Sequence, residues 1–201
     1  MTTFLLIRHG KTDDVSNALA GRIDSPLNEQ GHQQASLLAD TLTHLPIQKV
    51  LSSPLLRAQQ TAQPLAKQLN LPVTIEKSFL QVSFGDWEGI PFEELDLIPA
   101  WKTFQQRPSE ITPPNGESAA AVRERVHQAL LSYAQKEPQE SVIAIFSHGS
   151  IIRHSVSAAI GLPLNQFNFL RIAPASVSTI RIINNVGKLI HLNQQVPTRW
   201  I

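Results

Sequence analysis

Residues 141–149, which read SVIAIFSHG, are the stretch that decides the fold. A short apolar run that stops abruptly at polar residues is typical of a strand buried in a parallel sheet. The same pattern occurs near the N-terminus, where residues 4–10 read FLLIRHG. We therefore predict two central strands, each followed by a histidine and a glycine. These histidines are His148 and His9.

Helical spacing alternates with these strands along the chain. Apolar residues recur in steps of three and four in several segments, which predicts helices. The first helix is expected to begin after the N-cap Asn28 and to end at Pro46. Further helices are predicted near 54–69, 122–133 and 150–160, and further strands at 49–53, 73–75, 177–183 and 188–192. The alternation predicts an α/β fold with three layers, a mostly parallel central sheet flanked by helices, and an antiparallel strand near the C-terminal end.

Residues 77–118 carry half of the aromatic residues and many prolines. They show little sustained periodicity apart from one amphipathic stretch at 92–104. A segment of that length is more typical of a lid or a pocket wall than of a linker. We predict a single domain over residues 1–201, with 77–118 as its lid or insert. Phe84, Trp87 and Trp101 are expected to pack within that segment.

Composition excludes several function classes. The chain has 201 residues, a formal net charge of +1 and no cysteine. A charge so small gives no reason to expect nucleic acid or a membrane surface as partner. The lack of cysteine excludes disulfides, thiolate metal sites and cysteine nucleophiles. The apolar run at the N-terminus is too short for a signal peptide or a membrane helix. We expect a cytoplasmic protein, either a monomer or a homodimer.

Ligands of open α/β sheets bind beyond the carboxyl ends of the strands. Arg8 and His9 follow one predicted strand, and His148 follows another. A third strand ends at Ser53, and Arg57 lies one turn into the next helix. If these strands are neighbours, two imidazoles and two guanidiniums meet at one edge. Such planar cationic donors suit a phosphoryl group.

His9 is the expected nucleophile of this group. A neutral imidazole can attack phosphorus and be released again, while arginines balance the charge of the transition state. A protonated second histidine would donate a further hydrogen bond to the phosphoryl oxygens. The other histidines have no comparable setting and are expected at the surface or in packing: His32, His44, His127, His154 and His191.

Two rival interpretations fail on spacing. The sequence at Gly10 resembles the end of a phosphate-binding P-loop, but Leu5 stands where that loop requires another glycine. A metal site would need Asp13 or Asp14 beside the histidines, and the neighbouring arginines would repel a cation. We expect neither a metal nor an organic cofactor.

Five motifs occur in order along the chain: RHG, SSPLLRAQQTA, FGDWEG, PPNGES and SHG. Together they resemble the histidine phosphatase superfamily, also called phosphoglycerate mutase-like. The compact middle segment is most similar to small phosphatases such as the α-ribazole phosphatases. The resemblance implies a phosphohistidine mechanism with His9 as nucleophile. It implies the following phosphate-binding and substrate-binding residues: Arg8, Arg57, His148, Thr12, Asn17, Gln81 and Gly149.

The sequence departs from the family pattern at three positions. Lys11 replaces a glutamate, and Val15 stands where an asparagine is usual, so Asn17 is expected to substitute for it. Gln81 stands four residues before the glycine of FGDWEG, where related phosphatases have a glutamate that protonates the leaving oxygen. A carboxamide cannot donate that proton, and general acid catalysis contributes about 10²–10⁴-fold. The carboxylates that could replace the acid are Asp13, Asp14, Asp86, Glu88 and Glu117.

These observations predict a phosphomonoesterase that acts on a small phosphorylated metabolite through a phosphohistidine at His9, slowly where the leaving group needs a proton. Two alternatives stay open at this point. One is a phosphate-ligand-binding protein with weak or no turnover. The other is a phosphotransferase of the phosphoglycerate mutase type.

Overall fold

The computed structural model describes residues 1–13 and 17–195. Six strands and six α-helices follow one another in the described residues: β1 (Thr2–Arg8), α1 (Glu29–Leu42), β2 (Ile47–Ser52), α2 (Leu56–Gln68), β3 (Val73–Ile75), α3 (Phe92–Leu95), α4 (Pro99–Gln106), α5 (Ala119–Lys136), β4 (Ser141–Ser147), α6 (Gly149–Ala159), β5 (Val177–Ile183) and β6 (Val186–Gln194). Short 3-10 turns lie at Lys77–Phe79, Gly85–Trp87 and Leu164–Phe169.

The strands form one sheet in the order β3-β2-β4-β1-β5-β6. The pairings among β1, β2, β3 and β4 are parallel, whereas β5 runs antiparallel to both β1 and β6. Arg8 lies opposite Ser147, and Ser52 lies opposite Phe146. The carboxyl ends of β1, β4 and β2 therefore meet side by side at one edge. This arrangement confirms the predicted fold class.

Alternating side chains of the strands build two cores. Phe4 and Leu6 of β1 belong to a buried cluster that includes residues of α5 and α6. Leu5 and Ile7 belong to a second cluster with residues of α1 and α2. Because successive side chains of a strand point to opposite faces, the helices cover both faces of the sheet and form the three predicted layers.

The first helix is capped as predicted. Asn28 is extended, and its side-chain oxygen accepts a hydrogen bond from the Gly31 amide at 2.8 Å. The helix ends at Leu42, earlier than the predicted end at Pro46. A proline restricts the residue before it to extended backbone, so the chain leaves the helix before Pro46 is reached.

The stretch 92–104 was predicted as one amphipathic piece, and the structure divides it into α3 and α4. Ile98 is extended, with φ −86° and ψ 116°, because it precedes Pro99. Trp87, Trp101 and Phe104 are buried, and the Trp87 ring meets the other two edge to face. The rings of Trp87 and Trp101 lie 5.5 Å apart at 87°. The middle segment is thus packed into the core of the α5 and α6 face, and its role as a lid stays a prediction.

Gly85 closes the turn of the FGDWEG motif. Its φ is +54°, and a Cβ atom there would lie 1.9 Å from the carbonyl oxygen of Pro114. Only glycine meets both requirements without strain. In the part of the chain that the structure describes, no helix is both long and apolar enough to cross a membrane.

Candidate active site

His9 is held directly beyond the end of β1. Its backbone amide donates to the carbonyl oxygen of Ser147 at 2.9 Å, which continues the pairing with β4. Gly10 follows, and a Cβ atom there would lie 2.7 Å from the carbonyl oxygen of Gly31. A glycine after His9 therefore lets the chain pass close to α1. The His9 ring lies 5.3 Å from the ring of His148, measured between centroids.

The protonation state of His9 follows from its contacts. Its Nδ1 lies 2.7 Å from the carbonyl oxygen of Gly10. A carbonyl can only accept, so Nδ1 carries the hydrogen and Nε2 keeps its lone pair. Burial lowers the pKa of His9 to about 3, and the charges of Arg8 and Arg57 act in the same direction. The imidazole is therefore neutral at physiological pH, with Nε2 available as a nucleophile.

Two arginines flank His9, of which Arg8 is half-buried and Arg57 buried. Arg8 donates from Nη1 to the carbonyl oxygen of Ile172 at 2.6 Å. Arg57 is 2% exposed and donates to the carbonyl oxygens of Ile23 and Gly21 at 2.7 and 2.9 Å. Backbone carbonyls accept hydrogen bonds from both guanidiniums, and guanidinium groups are favourable partners for an anion.

The repulsion among these cations is visible in Arg8. Burial, and after it the charges of Arg153 and Arg57, lower its pKa to about 10. Arg8 still carries its full charge at pH 7. Three guanidiniums thus share a site whose charge a phosphoryl dianion would relieve.

His148 lies behind His9 and is fully buried. Its Nε2 lies 2.7 Å from Ser53 Oγ, and its buried Nδ1 has no hydrogen-bond partner among the described residues. Burial and the neighbouring His9, Arg57 and Arg8 hold the pKa of His148 well below its usual value. The ring is neutral without a ligand, so the protonated donor expected from the sequence is absent in this state.

A pocket of about 130 Å³ opens at this edge of the sheet. Five of the predicted residues line it: Arg8, His9, Arg57, Gln81 and Gly149. The other lining residues are Ala18, Leu19, Ala20, Gly21, Phe84, Phe92, Ser150 and Arg153. The structure therefore brings together the two arginines, the proposed nucleophile and the glutamine at the acid position.

Three predicted residues do not line this pocket. His148 lies behind it, whereas Thr12 and Asn17 lie outside it. Asn17 is exposed, and its backbone carbonyl accepts a hydrogen bond from the Phe92 amide. The substrate-binding roles of Thr12 and Asn17 stay predictions. Val15 lies outside the described residues.

The carboxylates considered as replacement acids are engaged elsewhere. Glu88 accepts hydrogen bonds from the Phe84 and Arg22 amides at 2.9 and 3.1 Å. Asp86 accepts from Asn115, and Asp13 accepts from Asn28. Asp14 lies outside the described residues. No carboxylate among the described residues lines the pocket of about 130 Å³.

Glu117 belongs to a charged cluster beside the pocket. Its Oε2 accepts from Arg22 at 2.8 Å, from Arg125 at 3.0 Å and from the Ser83 amide at 3.0 Å. Arg22 also donates from Nε to the backbone carbonyl of Gln81 at 2.9 Å. Arg22 therefore connects Glu117 to the segment that carries Gln81.

Arg153 is the lining residue that sequence reasoning missed. It lies four residues after Gly149, one turn into α6, whereas Arg57 is the second residue of α2. Both arginines lie in helices that follow strands of the sheet, and a search of the helix after β4 for a basic residue would have identified Arg153.

Comparison with known proteins identifies the family of this chain. The sequence model of the histidine phosphatase superfamily (branch 1) matches residues 4–195, so the chain belongs to this family. Phosphoserine phosphatase 1 of Hydrogenobacter thermophilus is 29% identical over 196 residues, which cover 96% of this chain and 92% of that protein. The uncharacterized phosphatase PhoE of Bacillus subtilis is 30% identical over 194 residues, covering 96% and 95%.

Solved structures agree with this placement. A mutant phosphoserine phosphatase of Entamoeba histolytica, in complex with phosphoserine, superposes with a TM-score of 0.86 at 26% identity. The alignment covers 96% of this chain and 97% of that one. The relatives of this chain thus include phosphatases.

Proposed function

We propose that the protein is a phosphomonoesterase that hydrolyses a small phosphorylated metabolite through a phosphohistidine at His9. The observation that carries this proposal is a neutral His9 whose Nδ1 hydrogen is held by the Gly10 carbonyl, beside two arginines in a pocket of about 130 Å³. The phosphatases among its relatives support the same reaction class.

In the first step, the lone pair of His9 Nε2 attacks phosphorus and forms the N–P bond. The ester P–O bond breaks, and its electron pair stays on the leaving oxygen. Arg8 and Arg57 stabilise the charge on the phosphoryl oxygens, and the buried His148, whose Nε2 lies 2.7 Å from Ser53 Oγ, packs behind the His9 ring. The Gly10 carbonyl stabilises the charge that develops on the His9 ring.

In the second step, a water oxygen attacks phosphorus from the side that the leaving group vacated. The N–P bond breaks, and its electron pair returns to His9 Nε2. The water loses a proton to solvent or to the departing phosphate, so inorganic phosphate is released and neutral His9 is restored. The proposed mechanism needs only protein groups and water.

The ease with which the leaving oxygen departs sets the rate of the first step. Gln81 lines the pocket, and its side-chain oxygen accepts from the Val82 amide at 3.0 Å. A carboxamide stabilises the leaving oxygen only by hydrogen bonding, so alkyl alcohols, which need a proton to leave, are poor leaving groups here. We infer that the enzyme turns over esters with acidic leaving groups faster.

Comparison of p-nitrophenyl phosphate with glycerol phosphate tests this proposal, because nitrophenolate leaves without a proton. The expected result is turnover of the aryl ester at least about 10²-fold faster than of the alkyl ester. Phosphate trapped on the protein by an alkaline quench, and lost in acid, would identify the phosphohistidine. Similar high rates for both esters would show that another acid acts in place of Gln81.

A second candidate function is phosphate-ligand binding without turnover. The observation that favours it is Gln81 in a pocket that otherwise suits a phosphoryl group. Binding of phosphate without hydrolysis of either ester, and without a trapped phosphoenzyme, would establish this function instead.

A further inference from the structure

The pocket of about 130 Å³ that Arg8, His9 and Arg57 line is the phosphate pocket. A second cavity, of about 340 Å³, adjoins it. Leu19, Phe84, Ser150 and Arg153 line both spaces, so the two are neighbours with a common wall. The phosphate pocket is too small for more than the phosphoryl group and its immediate surroundings. The remainder of a bound substrate must therefore extend elsewhere, and the second cavity begins where the phosphate pocket ends.

Aromatic rings form much of the cavity wall. Phe84, Trp101, Phe104 and Phe167 all line it and are each less than 10% exposed. Phe84 and Phe104 meet edge to face, with centroids 6.0 Å apart at 85°. Aromatic walls favour a flat apolar ligand, which can make stacked or edge contacts with several rings at once.

His154 adds a fifth ring to this wall. It is 2% exposed, and its ring lies 4.1 Å from that of Phe167 between centroids. Burial lowers the pKa of His154 to about 3, so the ring is uncharged at pH 7. Its buried Nδ1 has no hydrogen-bond partner among the described residues. A ligand hydroxyl or ring nitrogen is the kind of group that would satisfy such an imidazole.

The charged residues of the cavity do not oppose an uncharged ligand. Glu117 lines the cavity, but Arg22 and Arg125 neutralise its carboxylate. Arg153 lines the cavity on the side shared with the phosphate pocket, and its Nε donates to the carbonyl oxygen of Leu170 at 2.9 Å. Positive charge is thus placed at the phosphate end and aromatic surface beyond it.

We propose that this cavity binds the leaving group of the substrate and selects phosphate esters of flat aromatic or heteroaromatic alcohols. The volume of about 340 Å³ lies at the small end of the range for small-molecule sites, which suits one or two fused rings. The proposal rests on the phosphatase function proposed above, and it names the substrate class of that same site.

Ala119 allows a direct test. It is the first residue of α5, it is 3% exposed, and it lines the cavity, whereas its neighbour Ala120 is exposed. Ala119→Leu would fill part of the cavity, and Ala120→Leu is the matched control with the same change one residue away. Neither residue lines the phosphate pocket.

The first measurement compares kcat/KM for phenyl phosphate and 2-naphthyl phosphate, whose leaving groups have similar acidity. We expect the wild-type protein to favour the naphthyl ester about tenfold, from the burial of the additional ring. Ala119→Leu should remove this preference, and Ala120→Leu should retain it. Equal kcat/KM for the two esters in the wild type would overturn the proposal.

The second measurement does not require turnover. Calorimetric titration with 2-naphthylphosphonate and methylphosphonate reports on the cavity even if the protein hydrolyses nothing. Tighter binding of the naphthyl compound, lost in Ala119→Leu, would support the cavity proposal while the phosphatase proposal failed. Equal affinities would overturn the cavity proposal. If Ala119→Leu does not fold, as judged by circular dichroism, Ala119→Val and Ala120→Val replace the pair.

Discussion

The phosphate pocket and the adjoining cavity differ in almost every physical respect. The pocket of about 130 Å³ is formed largely by residues at strand ends and helix starts and is lined by three arginines. The cavity of about 340 Å³ is formed largely by the middle segment, α6 and the turn Leu164–Phe169, and five of its lining side chains are aromatic or imidazole rings. Strands and helices hold the side chains of a site more precisely than loops do. Side chains from loops and short helices instead provide a surface whose shape can vary.

This difference separates the chemistry from the choice of substrate. Charges placed by the sheet act on the phosphoryl group, which is the same in every phosphate ester. Rings placed by the middle segment contact only the part of the substrate that differs from one ester to another. Changes in the pocket should therefore affect all substrates alike, whereas changes in the cavity should affect some substrates more than others.

The largest expected effect is that of His9→Ala. Loss of the nucleophile should lower turnover of every phosphate ester by about 10⁴-fold or more, by analogy with other covalent catalysts. Steady-state rates with p-nitrophenyl phosphate and trapping of the phosphoenzyme would measure it. His44→Ala, at an exposed position, is the control and should behave as wild type. A His9→Ala variant that kept most of its activity would exclude the phosphohistidine mechanism.

Arg57→Lys should lower kcat about 10²- to 10³-fold for aryl and alkyl esters alike, because one directed donor to the transition state is lost. Lysine cannot hold the Ile23 and Gly21 carbonyls and a phosphoryl oxygen with one ammonium group. Arg107→Lys, whose side chain is 58% exposed, serves as the control. A loss of kcat confined to one substrate would mean that the pocket also contacts the leaving group.

Gln81→Glu should raise kcat for glycerol phosphate by about 10²-fold, because a carboxylic acid can protonate the leaving alcohol. Turnover of p-nitrophenyl phosphate should change little, since nitrophenolate leaves without a proton. Gln33→Glu, at an exposed position of α1 that lines neither the phosphate pocket nor the cavity, is the matched control. The ratio of the two rates is the measurement, and an unchanged ratio would place Gln81 away from the leaving oxygen.

The smallest expected effect is that of His154, in the cavity wall, on how the free energy of unfolding depends on pH. His154 has a pKa of about 3 in the folded protein, below the value of 6.5 expected when it is unfolded. The unfolded state therefore binds more protons below pH 6.5, so the stabilisation is complete above pH 6.5 and is lost as pH falls toward 3. Between these two pKa values, each unit by which the pH falls lowers the free energy of unfolding by about 1.4 kcal/mol for one such histidine.

His154→Phe removes this titration while keeping a ring against Phe167. Between pH 7 and pH 5 its free energy of unfolding should fall by about 2 kcal/mol less than that of the wild type. Urea denaturation at the two pH values would measure the difference. His32→Phe, at an exposed position, should retain the wild-type dependence on pH. An identical dependence in His154→Phe would show that His154 does not stay neutral in the folded protein.

The sheet was predictable because its signals are local. The bounds of β3 and β5 agree with those predicted, since short apolar runs between polar residues mark buried strands. Arg8, His9 and Arg57 were found together for the same reason: each lies at or just beyond a strand end. Ligands of open α/β sheets bind beyond the carboxyl ends of the strands, so these residues are expected at one edge without any knowledge of side-chain packing.

The rest of the site depends on contacts between distant segments. The sequence gives no sign that His148 would lie behind His9 rather than line the pocket, since both follow strands in the same manner. His154 was expected at the surface or in packing, and it does pack on Phe167, but its position in the cavity wall depends on where the turn Leu164–Phe169 lies. Such positions follow from tertiary packing, which no local pattern encodes.

Arg22 has a consequence for any attempt to redesign this protein. Its guanidinium binds the backbone of Gln81, which belongs to the phosphate pocket, and the carboxylate of Glu117, which belongs to the cavity. One side chain thus binds a residue of the phosphate pocket and a residue of the cavity. A designer who wishes to change the specificity should alter the aromatic wall and leave the partners of Arg22 untouched, because displacement of Glu117 would be transmitted to Gln81 and alter the chemistry as well.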